Sequence, residues 1–234
     1  MRFAPGVLAL FLVLAPATRA QQNHHHHHPA MGAAAAGAVD SEPSEHSGHH
    51  ETLGPAGLTY DLRWLDAMVQ HHTGALRMSA VVFDSESPGV GALAREIWRD
   101  QAQEIRAMGQ WRRAWYPDAP VYPVVLRPAG DPNAMADLIP MAPAQMEAMQ
   151  MMGARPTRQT RVHWFLEGML AHHGGALLMA HDALRNSSNP TIRRLARTII
   201  VNQRREIQQI RGMLRHDGLN KPEDHRYDRL FNLR

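Results

Sequence analysis

The sequence predicts an all-α protein, an antiparallel four-helix bundle assembled from two tandem helix pairs. Three observations point there. The chain repeats itself, the repeated blocks place apolar residues at helical spacing, and proline or glycine stands where each helix must stop.

The repeat comes in two blocks. Trp64-Leu-Asp-Ala-Met-Val-Gln-His-His-Thr-Gly-Ala-Leu-Arg-Met78 matches Phe165-Leu-Glu-Gly-Met-Leu-Ala-His-His-Gly-Gly-Ala-Leu-Leu-Met179 at a constant shift of 101 positions. Leu93-Ala-Arg-Glu-Ile97 and Gln101-Ala-Gln-Glu-Ile105 match Leu195-Ala-Arg-Thr-Ile199 and Gln203-Arg-Arg-Glu-Ile207, now shifted by 102. One residue has therefore been gained in the loop inside the second copy.

Each copy predicts a helix pair. The first helix is expected from Thr59, as N-cap, to Asp84, where Ser85-Glu-Ser-Pro-Gly89 breaks it. The second is expected from Val90 to Tyr116, ahead of Pro117. In the later copy Asn186-Ser-Ser-Asn-Pro190 is the break, and Gly218 followed by Pro222 is the stop. Repeat one thus covers 59–116 and repeat two 158–218, inside a bundle domain of 57–218. Either pair alone would leave an apolar stripe wet, so the two should pack as one domain. The connector, 117–157, is the least regular stretch; Pro143 to Met152 reads as a short helix with proline at its start. No stretch alternates with period two for long enough to predict a sheet.

The ends read differently. Arg2, an apolar core from Val7 to Ala15 and the small-residue site Ala15-Pro16-Ala17 predict a signal peptide within 1–20. Its core is far shorter than the roughly 20 residues a membrane span needs, and no later stretch is long enough either. A periplasmic or secreted protein with no span after cleavage is expected. Residues 21–56 lack any period and hold His24 to His28, His46, His49 and His50; they read as a disordered, metal-attracting tail, with a cloning tag the bland account of the five-histidine run. Residues 219–234 read as a C-terminal tail.

Composition excludes several chemistries. The chain has no cysteine, which removes disulfides, thiolate sites and thiol catalysis. A formal net charge of +3, with no interleaved basic and aromatic strip, gives no argument for nucleic acid. Serine elbows, phosphate loops and His-Glu-x-x-His are missing, so no catalytic role is assigned to any residue. What stands out is 16 histidines and 14 methionines.

On a helix at about 100° per residue, Met68, His71, His72 and Met78 share the face that carries Trp64 and Asp61. Met169, His172, His173 and Met179 share the equivalent face of the second copy, and both faces should be buried. Gln101 with Glu104, and Gln203 with Glu206, fall on the apolar faces of the partner helices. A buried glutamate needs a partner, and a histidine of the neighbouring helix is the evident one. His72 and His173 lie nearer the middle of the face and are assigned to Glu104 and Glu206. His71 and His172 lie toward the flank and are assigned as the more exposed ligands. The bland account is that these pairs only fix register and the methionines only fill core. Imidazole beside thioether, doubled, instead suits Cu(I) or Ag(I). The connector adds Met141, Met146, Met149 and Met152 as candidate ligands, alongside Met135 and Met151.

The doubled string Met-x-x-His-His-x-Gly-Ala-Leu-x-Met, with the Gln-x-x-Glu-Ile blocks, resembles the DUF305 family from about Thr59 to Gly218. That resemblance implies a ferritin-like helical fold, and for some members an exported copper-binding role in resistance to copper or silver through Met and His ligands. The family's usual Phe-Asp ahead of the second motif is here His163-Trp164, and Val162 stands where the first copy has Asp61.

The expected function is therefore sequestration or delivery of copper, with silver as a second cargo, without catalysis. The partners are metal ions, with a homodimer or a metal-transfer protein left open. One alternative is a ferritin-like di-metal oxidase, which wants carboxylates and Glu-x-x-His rather than Gln-x-x-Glu. Another is a structural or signalling bundle without metal.

Overall fold

The computed structural model describes residues 53–119, 121–219, 221–225 and 228. The sequence readings of a signal peptide and of a His-rich tail up to residue 52 lie outside the described residues.

The described chain is mostly helical. Helix α1 runs Tyr60–Ala80 and α2 runs Val90–Trp115. A two-stranded antiparallel sheet follows, β1 (Val124–Leu126) against β2 (Leu138–Pro140), and then the short helix α3 (Pro143–Gln150). Helix α4 spans Arg161–Asn186 and α5 spans Pro190–His216. A 3-10 turn, Pro222–His225, comes last.

The helix boundaries have local causes. Gly89 precedes α2 at φ +79°, a left-handed conformation that glycine adopts without a Cβ penalty. Asn189 caps α5 by accepting from the Thr191 N–H at 2.9 Å, with Pro190 in the first turn. Thr59 does stand at the cap position of α1, but its hydroxyl donates to the Pro132 carbonyl at 2.7 Å and caps nothing. Residues 81–84 form turns rather than a last helical turn, so α1 ends four residues earlier than periodicity predicts.

The sheet corrects the expectation that none would form. Its pairs are Val124↔Pro140, Val125↔Ile139 and Leu126↔Leu138, three residues a side. Strands that short cannot display a period-two pattern, and this one is held from outside: the buried Asp66 carboxylate on α1 accepts from the Val124 N–H at 2.9 Å and from Arg112 Nε at 2.7 Å.

Helices α1 and α2 pack as one pair and α4 and α5 as the other, and α1 lies against α4. The α1–α4 contact is antiparallel: Tyr60 meets Asp182, Trp64 meets Met179 and His71 meets His172. Trp64 Nε1 donates to the Met179 carbonyl at 2.9 Å, and the Tyr60 hydroxyl donates to Asp182 Oδ2 at 2.6 Å. These two bonds tie the repeats together at one end of the contact. Helix α3 seats on α1 at Gly74, where a Cβ would come within 1.9 Å of the Gln150 carbonyl oxygen. Only glycine permits that approach.

Candidate metal centre

Four histidines meet where α1 crosses α4. His71, His72, His172 and His173 are each 0 % exposed. This corrects the expectation that His71 and His172 are the exposed members. A helical wheel places both toward the flank of one helix, but the flank of α1 is the face that α4 covers. The His71 and His172 rings lie 3.8 Å apart between centroids, tilted by 48°. His172 Nε2 donates to the backbone carbonyl of His71 at 2.9 Å.

The other histidine of each pair turns to its own partner helix. His72 Nε2 is 2.7 Å from Glu104 Oε2, and His173 Nε2 is 2.6 Å from Glu206 Oε2. Two copies of one sequence thus make two copies of one contact. The carboxylates differ in access, with the Glu104 side chain 14 % exposed and that of Glu206 only 3 %.

These contacts set the tautomers. A carbonyl or carboxylate oxygen accepts, so in His72, His172 and His173 Nε2 carries a proton, and in the neutral ring the lone pair is then on Nδ1. For His72 and His173 that Nδ1 is buried and makes no hydrogen bond. Such an imidazole, oriented by a carboxylate behind it, is the usual form of a metal-ligating histidine. Gln101 and Gln203 are also buried, and neither the oxygen nor the nitrogen of either amide finds a partner. They sit one turn before Glu104 and Glu206, so the unsatisfied polar groups repeat with the sequence.

Most of the candidate methionines lie in the apolar core. Met68, Met78, Met169 and Met179 belong to the main core cluster with Met141 and Met149 of the connector; Met146 and Met152 pack against it, half-buried. Met135 is exposed, and Met151 ends α3 in a left-handed conformation. Among the described residues no three or more His, Asp or Glu side chains come close enough together to hold an ion by themselves.

Asp61 is not part of the centre. It is half-buried at the start of α1, where Ser187 and Asn189 hydrogen-bond its carboxylate; burial nonetheless raises its pKa. Its counterpart Val162 packs at the edge of the core. Sequence reasoning missed Asp66, Asp182 and Arg211, all buried and paired. The available signal was a charged residue on an otherwise apolar helix, the same signal that singled out Glu104 and Glu206.

A family of known sequence pattern but unassigned role, described as a domain of unknown function, matches residues 61–223. The chain belongs to the DUF305 family. Solved structures similar to it include a DUF305 fragment from Deinococcus radiodurans, 27 % identical, with 70 % of this chain and 99 % of that chain covered at a TM-score of 0.50. CopM in the Cu(II)-bound form is 24 % identical, with 70 % and 99 % covered and a TM-score of 0.50. A putative secreted DUF305 protein from Streptomyces coelicolor is 24 % identical, with 69 % and 95 % covered at a TM-score of 0.50. Among curated proteins none matches this chain. No helix of this DUF305 protein, among the described residues, is long and apolar enough to cross a membrane.

Proposed function

We propose that this DUF305 protein is an exported binder of Cu(I), with Ag(I) as a second cargo, that holds the ion through imidazole and thioether and performs no catalysis. One observation carries the reading: in both copies a fully buried histidine, oriented by a carboxylate at Nε2, leaves Nδ1 without a hydrogen bond inside a methionine-rich core. A buried polar atom without a partner costs about 1–3 kcal/mol, and the cost is doubled here by the repeat. A bound ion would repay it. Carboxylates are too few for a hard ion, because each half offers one glutamate already bonded to its histidine. Thioether sulfur supplies the missing donors, and imidazole with thioether favours the +1 ions of copper and silver.

We read the four long helices as a ferritin-like bundle used for binding. A di-iron oxidase would need carboxylates from several helices and Glu-x-x-His, where this chain has Gln101-x-x-Glu104 and Gln203-x-x-Glu206. Copper in the CopM structure belongs to that protein, and it is consistent with a fold that accepts the ion. Export rests on the signal-like first residues, and the secreted description of the Streptomyces protein agrees with it.

The test is a competitive Cu(I) titration against a chromophoric chelator. The protein should bind Cu(I) and Ag(I) in the same stoichiometry and lose most of that affinity in H72F/H173F, which removes both Nδ1 donors but keeps a ring. Changing Met141, Met146, Met149, Met151 and Met152 to leucine should lower the affinity at acidic pH, where histidine protonates and thioether does not. Unchanged affinity in both variants would leave the core as scaffold and sink the proposal.

A further inference from the structure

Every histidine of the crossing is 0 % exposed, so an ion bound there has to pass through protein to reach it. Helices α1, α2, α4 and α5 are 21 to 27 residues long, and each buries a face along most of its length. The element that differs is α3, eight residues long and seated on α1. A helix that short has little stability of its own and depends on what it packs against. Met149 is its only buried residue, while Ala144, Gln145, Glu147 and Ala148 are exposed. Local opening costs least where few apolar contacts hold a segment.

Helix α3 also sits beside the first histidine pair. Its polar and backbone contacts fall on Gln70, Gly74 and Arg77, which lie along one side of α1. Gln70 directly precedes His71, and Gly74 follows His71 by three residues, a spacing that makes neighbours on a helix surface. Met149 enters the core cluster that holds Met68 and Met78.

The two ends of α3 are held differently. Ahead of its start, the buried Met141 donates its N–H to the Pro123 carbonyl at 2.7 Å, which anchors that end beside the sheet. At the other end one side chain makes the attachment. Gln150 Nε2 donates to Gln70 Oε1 at 3.0 Å, and Gln150 Oε1 accepts from Arg77 Nη1 at 2.6 Å. The Tyr122 hydroxyl accepts from Gln70 Nε2 at 2.9 Å and so orients the Gln70 oxygen toward Gln150. Beyond this latch, Met151 and Gly153 are left-handed, and residues 151–160 include none that is buried. The slack therefore lies on the latched side. In the second copy Gln70, Gly74 and Arg77 become Ala171, Gly175 and Leu178, so the latch belongs to the first copy alone.

We infer that α3 is the gate by which a +1 ion enters and leaves the core, swinging about Ala142 and Pro143 when Gln150 releases Gln70 and Arg77. The inference rests on the proposed binding of Cu(I) or Ag(I) in that core. Met149 moves with the gate, and the half-buried Met146 and Met152 stand on the same piece of chain, so thioether lines the way in. Thioether is a soft donor that suits these ions.

Anaerobic stopped-flow measurements test it in both directions, with uptake of Cu(I) supplied as its acetonitrile complex and release to excess chromophoric chelator. The latch is closed in the free and the loaded protein alike, so loosening it should speed entry and exit together. In Q150A both rates should rise about tenfold, and in R77A by a smaller factor, while Kd stays within about threefold. Release should not depend on the chelator concentration. Hydrogen exchange of the metal-free protein should show the amides of 144–150 opening faster in Q150A, with those of α1 and α4 unchanged. If Q150A does not fold, R77A reads the same latch. Full affinity with rates indifferent to both variants overturns the gate and leaves the binding reading standing. Faster release alone, carried into a weaker Kd, makes Gln150 a support of the site and also overturns the gate. No Cu(I) bound by the unaltered protein overturns both.

Discussion

His172 donates from Nε2 to the backbone carbonyl of His71 across 2.9 Å, and the two rings rest 3.8 Å apart at the crossing of α1 and α4. Two histidines that occupy equivalent places in the repeat are thereby one of the contacts that join the repeats. The site and the interface between the halves are one feature, so ligand substitutions will also read out in stability.

His71→Ala and His172→Ala should each destabilise the fold by about 2–4 kcal/mol, because each deletes a fully buried ring and leaves a cavity. His172→Phe keeps most of the ring contact and loses the hydrogen bond, which should cost about 1 kcal/mol. Urea melts of the three variants check this. Loss below about 0.5 kcal/mol in both alanine variants would mean the rings do not meet as described.

The two His–Glu pairs should differ despite their common motif. His173→Ala leaves Glu206, whose side chain is 3 % exposed, with only the longer Arg205 contact at 4.0 Å, and should cost about 3 kcal/mol. His72→Ala leaves Glu104, which is 14 % exposed and can regain water, and should cost about 1–2 kcal/mol. Equal losses in parallel denaturant melts would show that burial of the carboxylate is not what decides the cost.

Gly74→Ala should detach α3. Its new methyl would meet the Gln150 carbonyl at 1.9 Å, and backbone on both sides leaves little slack. A loss of about 1–3 kcal/mol is expected from overpacking. Limited proteolysis should then cut within 142–160 faster than in the unaltered protein, and an unchanged cleavage rate would show that α3 accommodates the methyl.

Asp61 gives a pH dependence of known sign. Burial raises its pKa in the folded protein above the ordinary 3.8, although Ser187 and Asn189 pull the other way. A carboxyl with a raised folded pKa contributes its full stability below 3.8 and loses it as pH rises through the raised value. Asp61→Asn should therefore raise Tm at pH 7, with the gain shrinking as the solution is made acidic. A gain that is constant with pH would assign it to packing rather than to ionisation.

Much of this was legible in the chain. The doubled block around His71-His72 and His172-His173, the loops at Gly89 and Pro190, and apolar faces at helical spacing all follow from local chemistry, and they are enough for the helices and for which faces go inward. Glu104 and Glu206 on apolar faces were enough to nominate their partners. The β1–β2 sheet was not legible, because its strands are three residues each and depend on Asp66 from another element.

What only the tertiary structure decided is which histidine is hidden and how the chain leaves each helix pair. A helical wheel knows one helix, and exposure at its flank depends on where the next helix lies; α4 lies against that flank, so His71 and His172 are as buried as their neighbours. Repetition of sequence likewise says nothing of how the chain leaves each pair. After α5 it folds back over Arg211, after α2 it departs into a strand, and equivalent residues end in different surroundings because burial is a property of neighbours that sequence spacing does not encode.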